Sequence, residues 1–159
     1  SRLDGDREVF VETVNLHDII RIVCESRAEP FLKKNLSVVL ELNEEPLLLP
    51  GNHKYLNLAI DNIIHNAIRY TSEGGTITVS SGYLDGNAAI MIADSGIGIS
   101  EESLPRVFER FYREDVAGTT RGFGLGLPIA KAAIERHGGT IEVTSTIGEG
   151  TTVTILIPV

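Results

Sequence analysis

Cysteine occurs once in this chain, as Cys24, so no disulfide framework holds the fold together. It falls in an apolar helical run, the place of a small buried hydrophobe. No apolar stretch reaches the ~18 residues of a membrane-spanning helix, and no secretory leader pattern opens the chain. Positive charge is scarce: 14 Lys and Arg against 22 Asp and Glu leave a net charge of −8. Without a basic stripe to displace counterions from a phosphate backbone, nucleic acid is excluded as a partner. The few cations therefore matter where they converge. Internal repeats and low-complexity tracts are absent, and so is any Gly-Lys pair, which removes the P-loop of the common nucleotide-binding enzymes.

What is present is a single-domain composition, with 42% hydrophobic residues in 159, enough for a two-layer core. The stretch RGFGLGLPIAKAAIERHGG, residues 121–139, stands out. Gly122, Gly124 and Gly126 run into a helical segment in which Pro128 suits the first turn and Gly138 and Gly139 make the stop. A glycine loop feeding a helix N-terminus aims unpaired N–H groups and the positive end of the helix dipole at one point, which suits a phosphate chain. A tight turn without a ligand fits the three glycines equally well. The spacing is GxGxG after the turn-like VAGTTR, not the GxGxxG after a strand of dinucleotide sites.

In chain order, EVFVETV (8–14) alternates like an edge strand, and Asn15 with Asp18 predicts a helix cap before Leu16. Pro30 is expected to kink or end that helix. LSVVLEL (36–42) and PLLLP (46–50) read as short strands, Tyr55 to Tyr70 as the second long helix, and EGG (73–75) as its end. TITVSS and AAIMIAD form a hairpin across YLDGN. A short helix is expected around 101–110, then the glycine-led helix, then strands TIEVTS (140–145) and TVTILIP (152–158) joined at IGEG. Alternation in the last strands implies one wet and one buried face. The pattern predicts an α+β, two-layer α/β sandwich: a mixed, mostly antiparallel sheet with helices packed on one face.

On the second helix, Leu56, Ala59, Ile60, Ile63 and Ala67 share one face at about 100° per residue and must lie on the sheet. Asn62, Asn66 and Arg69 form an adjacent stripe, while Lys54, Asp61 and His65 point to water. Asparagines are poor helix formers. An Asn carbonyl is a hard oxygen suited to Mg²⁺, and Arg69 one turn on suits phosphate oxygens; a solvated polar edge is the plainer reading. Asp94 ends an apolar strand and precedes Gly96 and Gly98. Its carboxylate can accept from an exocyclic amine such as adenine N6, or simply close an Asx turn.

Taken together in this order, an Asn helix, DxGxG, FERFYR and GFGLGL resemble the ATP-binding domain of bacterial sensor histidine kinases, within the ATPase and kinase group of gyrase, the Hsp90 chaperone and MutL. The resemblance runs from about Val11 to Val159. It implies that DNIIHNAIRYT is the N box, DSGIG the first glycine box, ERFYR the F box, GFGLGL the second glycine box and GEGTT the last glycine turn. By this likeness Asn66 is the Mg²⁺ ligand, Asn62 and Arg69 face the phosphates, and Tyr70 lines the pocket. Asp94 reads the adenine amine, helped through water by Thr151, and Gly96 and Gly98 shape the wall. Arg113 reaches toward the phosphates, and Gly124, Leu125, Gly126 and Leu127, after Gly122, offer them backbone N–H groups. Phe108, Phe111 and Tyr112 pin the lid, and His137 is structural.

The family's reaction, by the same likeness, moves the γ-phosphoryl of ATP to a histidine on a separate helical dimerisation domain. Residues 1–7 are then the end of that domain or a linker, and residues 8–159 the ATP-binding catalytic domain. The likeness further implies a cytoplasmic, monomeric piece of a homodimeric parent that can be membrane-anchored and works with a response regulator. Three departures stand out: a short lid over Glu114 to Arg121, in which Arg121 is the candidate γ-phosphate cation; Arg69 where lysine is usual; and Pro30 in a helix that is usually continuous. The alternatives are an anti-sigma-type serine kinase or a degenerate interaction module of the same fold. A gyrase-type hydrolase lacks its general base here, because Asn62 stands one turn before the metal asparagine.

Overall fold

A computed structural model describes residues 10, 12–109 and 127–159. Its elements are β1 (Thr13–Asn15), α1 (Leu16–Ser26), α2 (Ala28–Lys33), β2 (Ser37–Glu41), β3 (Leu48–Pro50), α3 (His53–Tyr70), β4 (Thr76–Leu84), β5 (Asn87–Asp94), α4 (Leu127–Arg136), β6 (Thr140–Thr146) and β7 (Gly150–Pro158). Five strands form one sheet in the order β2-β4-β5-β7-β6. The β2–β4 pair is parallel and the others are antiparallel. The expected architecture is the one found: the inner sheet face, with Ile77, Val79, Ile90, Ile92, Ile155 and Ile157 buried, packs against α1, α3 and α4. On α3, Leu56, Ala59, Ile60, Ile63 and Ala67 are all buried, as their spacing requires.

Four expectations need correction. The strand expected at 8–14 is described only as Thr13–Asn15. It pairs with Leu48–Pro50 in a separate two-stranded ribbon and is not an edge of the main sheet. The first helix breaks at Arg27 rather than at Pro30. A prolyl ring clashes with the carbonyl four residues earlier, which is Ser26, so α1 stops there and Pro30 falls in the first turn of α2, where no amide is needed. The break turns Arg27 onto α3. Asp61 and His65, expected to face water, are its partners: Arg27 donates from Nε and Nη2 to the two Asp61 oxygens (2.9 and 2.8 Å), and Nη1 lies 3.2 Å from His65 Nδ1. The helix expected at 101–110 shrinks to a 3-10 turn over Leu104–Arg106, started by the Ser103 and Leu104 amides on the Ser100 carbonyl.

His137 links the starts and ends of the long helices, as the structural reading expected. Its Nδ1–H donates to the Ala133 carbonyl (2.7 Å), and its Nε2 accepts the Asn52 amide (3.0 Å) at the cap of α3. Phe10 stacks on the same ring. Among the described residues, no helix is long and apolar enough to cross a membrane.

Candidate functional site

The site begins with how α3 stops. This helix ends at Tyr70 with Thr71 in extended conformation and no glycine to fold its last carbonyls back. Lys34 takes that part. Its ammonium donates to the carbonyls of Ile68 (2.7 Å), Arg69 (3.1 Å) and Thr71 (2.9 Å), so all three of its hydrogens are committed. Burial lowers its pKa. The remaining carbonyl, that of Tyr70, accepts the Ile97 amide at 3.1 Å. The helix end is thereby joined to the loop that follows β5.

That loop starts at Asp94, which faces Ile77 on one side and Thr151 on the other in the strand register. Its Oδ1 accepts twice, from the Gly96 amide (2.8 Å) and the Thr151 amide (3.2 Å). Oδ2 has no hydrogen-bond partner among the described residues. Burial raises the Asp94 pKa above its ordinary 3.8, and these two amide bonds lower it in part. Two glycines are sterically required. Gly98 has φ +80°, and a Cβ there would collide with the Thr146 carbonyl; at Gly150 (φ +130°) a Cβ would collide with the Asp94 carbonyl. Behind them the Ser145 hydroxyl accepts the Ile99 amide (2.7 Å) and meets the Gly150 carbonyl (2.9 Å) and Thr151 Oγ1 (2.8 Å).

These pieces enclose one cavity, lined by Ile63, Asn66, Ala67 and Tyr70 of α3, by Ile92, Asp94, Ile97, Gly98 and Ile99, by Val107, by Leu127 at the start of α4, and by Thr151 and Val153. Its walls are mainly aliphatic, with Asn66, Asp94 and Thr151 as isolated polar groups. Asn66 Nδ2 is buried with no partner, the one such side-chain atom among the described residues. Amide N and O are distinguished by their hydrogen bonds, and here none opposes turning the carbonyl oxygen into that position. A hard, unpartnered oxygen at the cavity wall fits a Mg²⁺ ion that keeps waters and substrate oxygens as its other ligands. No group of three or more His, Cys, Asp or Glu among the described residues offers an all-protein cage.

Of the residues expected in the site, the cavity brings together Asn66, Tyr70, Asp94, Gly98, Leu127 and Thr151. Gly96 lies beside it through its bond to Asp94. Asn62 and Arg69 do not line it: the Asn62 amide donates to the Leu58 carbonyl (2.9 Å), and the Arg69 guanidinium lies over the Tyr70 ring. Arg113, Arg121, Gly122, Gly124, Leu125 and Gly126, like Phe111 and Tyr112, lie outside the described residues. Phe108 packs on the core under Lys131, whose ammonium lies 4.9 Å from the ring centre. Sequence reasoning missed the aliphatic walls Ile63, Ile92, Ile97, Ile99, Val107 and Val153, and also Lys34 and Ser145. For Ser145 a signal existed, since it continues the inward stripe of Ile141 and Val143 with a hydroxyl.

Residues 51–159 match the family of histidine kinase-, DNA gyrase B-, and HSP90-like ATPases, and the chain belongs to it. Within that family it is a catalytic ATP-binding domain of the sensor histidine kinase type. It is 35% identical over 150 residues to sensor histidine kinase YkoH of Bacillus subtilis, an alignment that covers 93% of this chain and 32% of that protein. The chain thus spans about a third of that relative's length. Among solved structures it resembles the catalytic domain of histidine kinase ThkA, with a TM-score of 0.82 and 29% identity over 92% of this chain and 94% of that one. It also resembles ThkA in complex with the response regulator protein TrrA, with a TM-score of 0.77 and 26% identity over 92% and 41% of the two chains.

Lys34→Met leaves three carbonyls without their donor and should cost about 1–3 kcal/mol in urea unfolding, with amide exchange accelerated at Tyr70 and Ile97 first. Asp94→Asn can keep both amide bonds on Oδ1. The folded pKa of Asp94 lies above its unfolded value, so its contribution is present at low pH and lost as pH rises through the folded pKa. At pH 7 the buried carboxylate is therefore a cost, and thermal unfolding of the ligand-free Asp94→Asn domain should show a higher melting temperature than wild type, with the difference shrinking as pH falls.

Proposed function

We propose that this cavity takes the adenine of Mg·ATP, and that the domain donates the γ-phosphoryl to a histidine on a separate helical dimerisation domain of its parent, for onward transfer to a response regulator. Residues 1–7 then belong to the tail of that acceptor domain or its linker. The observation that carries the reading is the pair of incomplete polar groups in an apolar cavity: the open Oδ2 of Asp94 and the orphan amide of Asn66. An exocyclic amine supplies the N–H that Oδ2 can accept, and the aliphatic walls suit the faces of a purine. Asn66 would hold Mg²⁺, which when bound offsets charge on the phosphates. Asn62 and Arg69, on the stripe beside Asn66, would meet the phosphate oxygens from outside the adenine cavity. Arg113 and Arg121, with the amides from Gly122 to Leu127, would complete the anion site at the start of α4. Catalysis on this reading is positioning and charge neutralisation, with no covalent step on this chain.

Two of the chain's own histidines are poor acceptors. His17 is buried, with Nε2 against Asn43 Oδ1 and Ser81 Oγ (2.9 and 2.8 Å), and His137 is held at both nitrogens. The response regulator enters because ThkA, 26% identical, was solved with one.

Calorimetric titration of ATP with and without Mg²⁺ tests the assignment. Wild type should bind saturably and more tightly with the ion. Asn66→Ala should lose the Mg²⁺ increment and keep ion-free binding. Asp94→Asn, which presents a donor where the amine needs an acceptor, should weaken ATP roughly 10- to 100-fold, the range of a charge-assisted hydrogen bond. Absence of saturable binding by wild type would overturn the reading.

A further inference from the structure

The hydroxyl network behind the cavity can be completed with one hydrogen per hydroxyl. Ser145 Oγ carries one hydrogen and two lone pairs. Its hydrogen goes to the Gly150 carbonyl at 2.9 Å, and one lone pair receives the Ile99 amide at 2.7 Å. With that hydrogen so placed, Ser145 meets Thr151 Oγ1, 2.8 Å away, with a lone pair, and Thr151 is the donor in that contact. The single hydrogen of Thr151 is thereby used, and its oxygen meets the cavity with lone pairs alone. The open Oδ2 of Asp94, on the adjacent strand and directly across the register, is likewise an acceptor.

We infer that Ser145 is a positioning residue for base specificity: by holding the Thr151 hydroxyl as a donor to itself, it leaves the polar edge of the cavity composed of acceptors, which select a 6-amino purine against a 6-keto purine. A 6-amino group offers two N–H donors to two acceptors. A 6-keto oxygen meets two sets of lone pairs. Without Ser145, Thr151 is free to turn its hydrogen toward a keto oxygen, and only Asp94 is left to discriminate. This role rests on the nucleotide reading above and adds to it a residue that touches no ligand.

The test is the ratio of calorimetric dissociation constants for IDP and ADP, measured with Mg²⁺ on the intact chain for wild type, Ser145→Ala, Thr151→Val and the double variant. Wild type should favour ADP. In Ser145→Ala the preference should fall roughly three- to tenfold, the range of one neutral hydrogen bond, and should stay above unity because Asp94 remains. Thr151→Val leaves Ser145 bonded to Ile99 and Gly150, so it preserves the loop, and it should lower the preference by a comparable factor. The double variant should fall no further than the larger single effect, as expected of two residues acting as one unit. If Ser145→Ala weakens ADP and IDP by the same factor, Ser145 is a brace only and the inference is overturned while the nucleotide reading stands. An unchanged ratio in Thr151→Val would overturn it equally, and that outcome is readable even where Ser145→Ala folds poorly. Wild type binding neither diphosphate would overturn both.

Discussion

One rung of the sheet decides what the rest of the domain can do. On the inner face of β5, β7 and β6 the side chains that touch the helices are aliphatic until the last position, where Asp94 stands opposite Thr151 and Thr151 opposite Ser145. Each strand thus ends its buried stripe with an oxygen, at the same level. The sheet supplies the alignment by itself, because register is set by the ladder bonds and by the hydrophobic face together. A one-residue slip of β7 would put Thr152 at this level in place of Thr151 and turn Val153 to the solvent face. The polar rung is therefore protected by the same burial that holds the sheet to its helices.

The second constraint is that α3 must stop at a fixed point without a glycine. Its stop is made by a lysine reached from another part of the chain and by the loop amide of Ile97. Because the loop is tied at Tyr70 on one side and at the β6–β7 turn on the other, its path between helix and hairpin has little freedom: the Gly148 amide donates to the Ile97 carbonyl, and the Ile99 amide to Ser145. Asn66 lies one turn before this anchor. Its rotation about the helix axis is thus set by residues distant in sequence, among them Lys34, which follows the break at Arg27.

Much of this was legible in the sequence. The inward faces of α3 and of the last strands follow from their periods, and the site residues on regular elements, Asn66, Tyr70, Asp94 and Thr151, come together where their motifs suggested. What was not legible depended on long-range partners. Nothing local in Lys34 distinguishes a helix-stopping ammonium from a solvated one, and Asp61 and His65 read as solvent-facing because Arg27 reaches them only after the chain turns at the α1–α2 break. The aliphatic walls were hidden for the opposite reason: Ile63 and Ile92 satisfy a core pattern, and a cavity beside the core uses the same residues. Ser145 shows the subtle case, a hydroxyl on an apolar stripe whose meaning emerges only once its three partners are known.

The energetics of the cavity argue against reading it as a gap in the packing. Elsewhere among the described residues the buried polar side-chain atoms have partners, down to a histidine held at both nitrogens. In this cavity two rules of stable folding are broken at once. Asn66 buries an amide nitrogen with no partner, and Asp94 holds a carboxyl whose ionised form is disfavoured by burial. A sequence selected for stability alone would replace either by an apolar or neutral residue of similar size. Local costs of this kind persist where a bound partner offsets them. The two incomplete groups differ in kind, since one is an amide able to present a hard oxygen and the other an acceptor flanked by a fixed hydroxyl. A ligand with an N–H edge at one end and cation-bound oxygens at the other would complete both, and on the proposed reading that ligand is a 6-amino purine nucleotide with its metal ion.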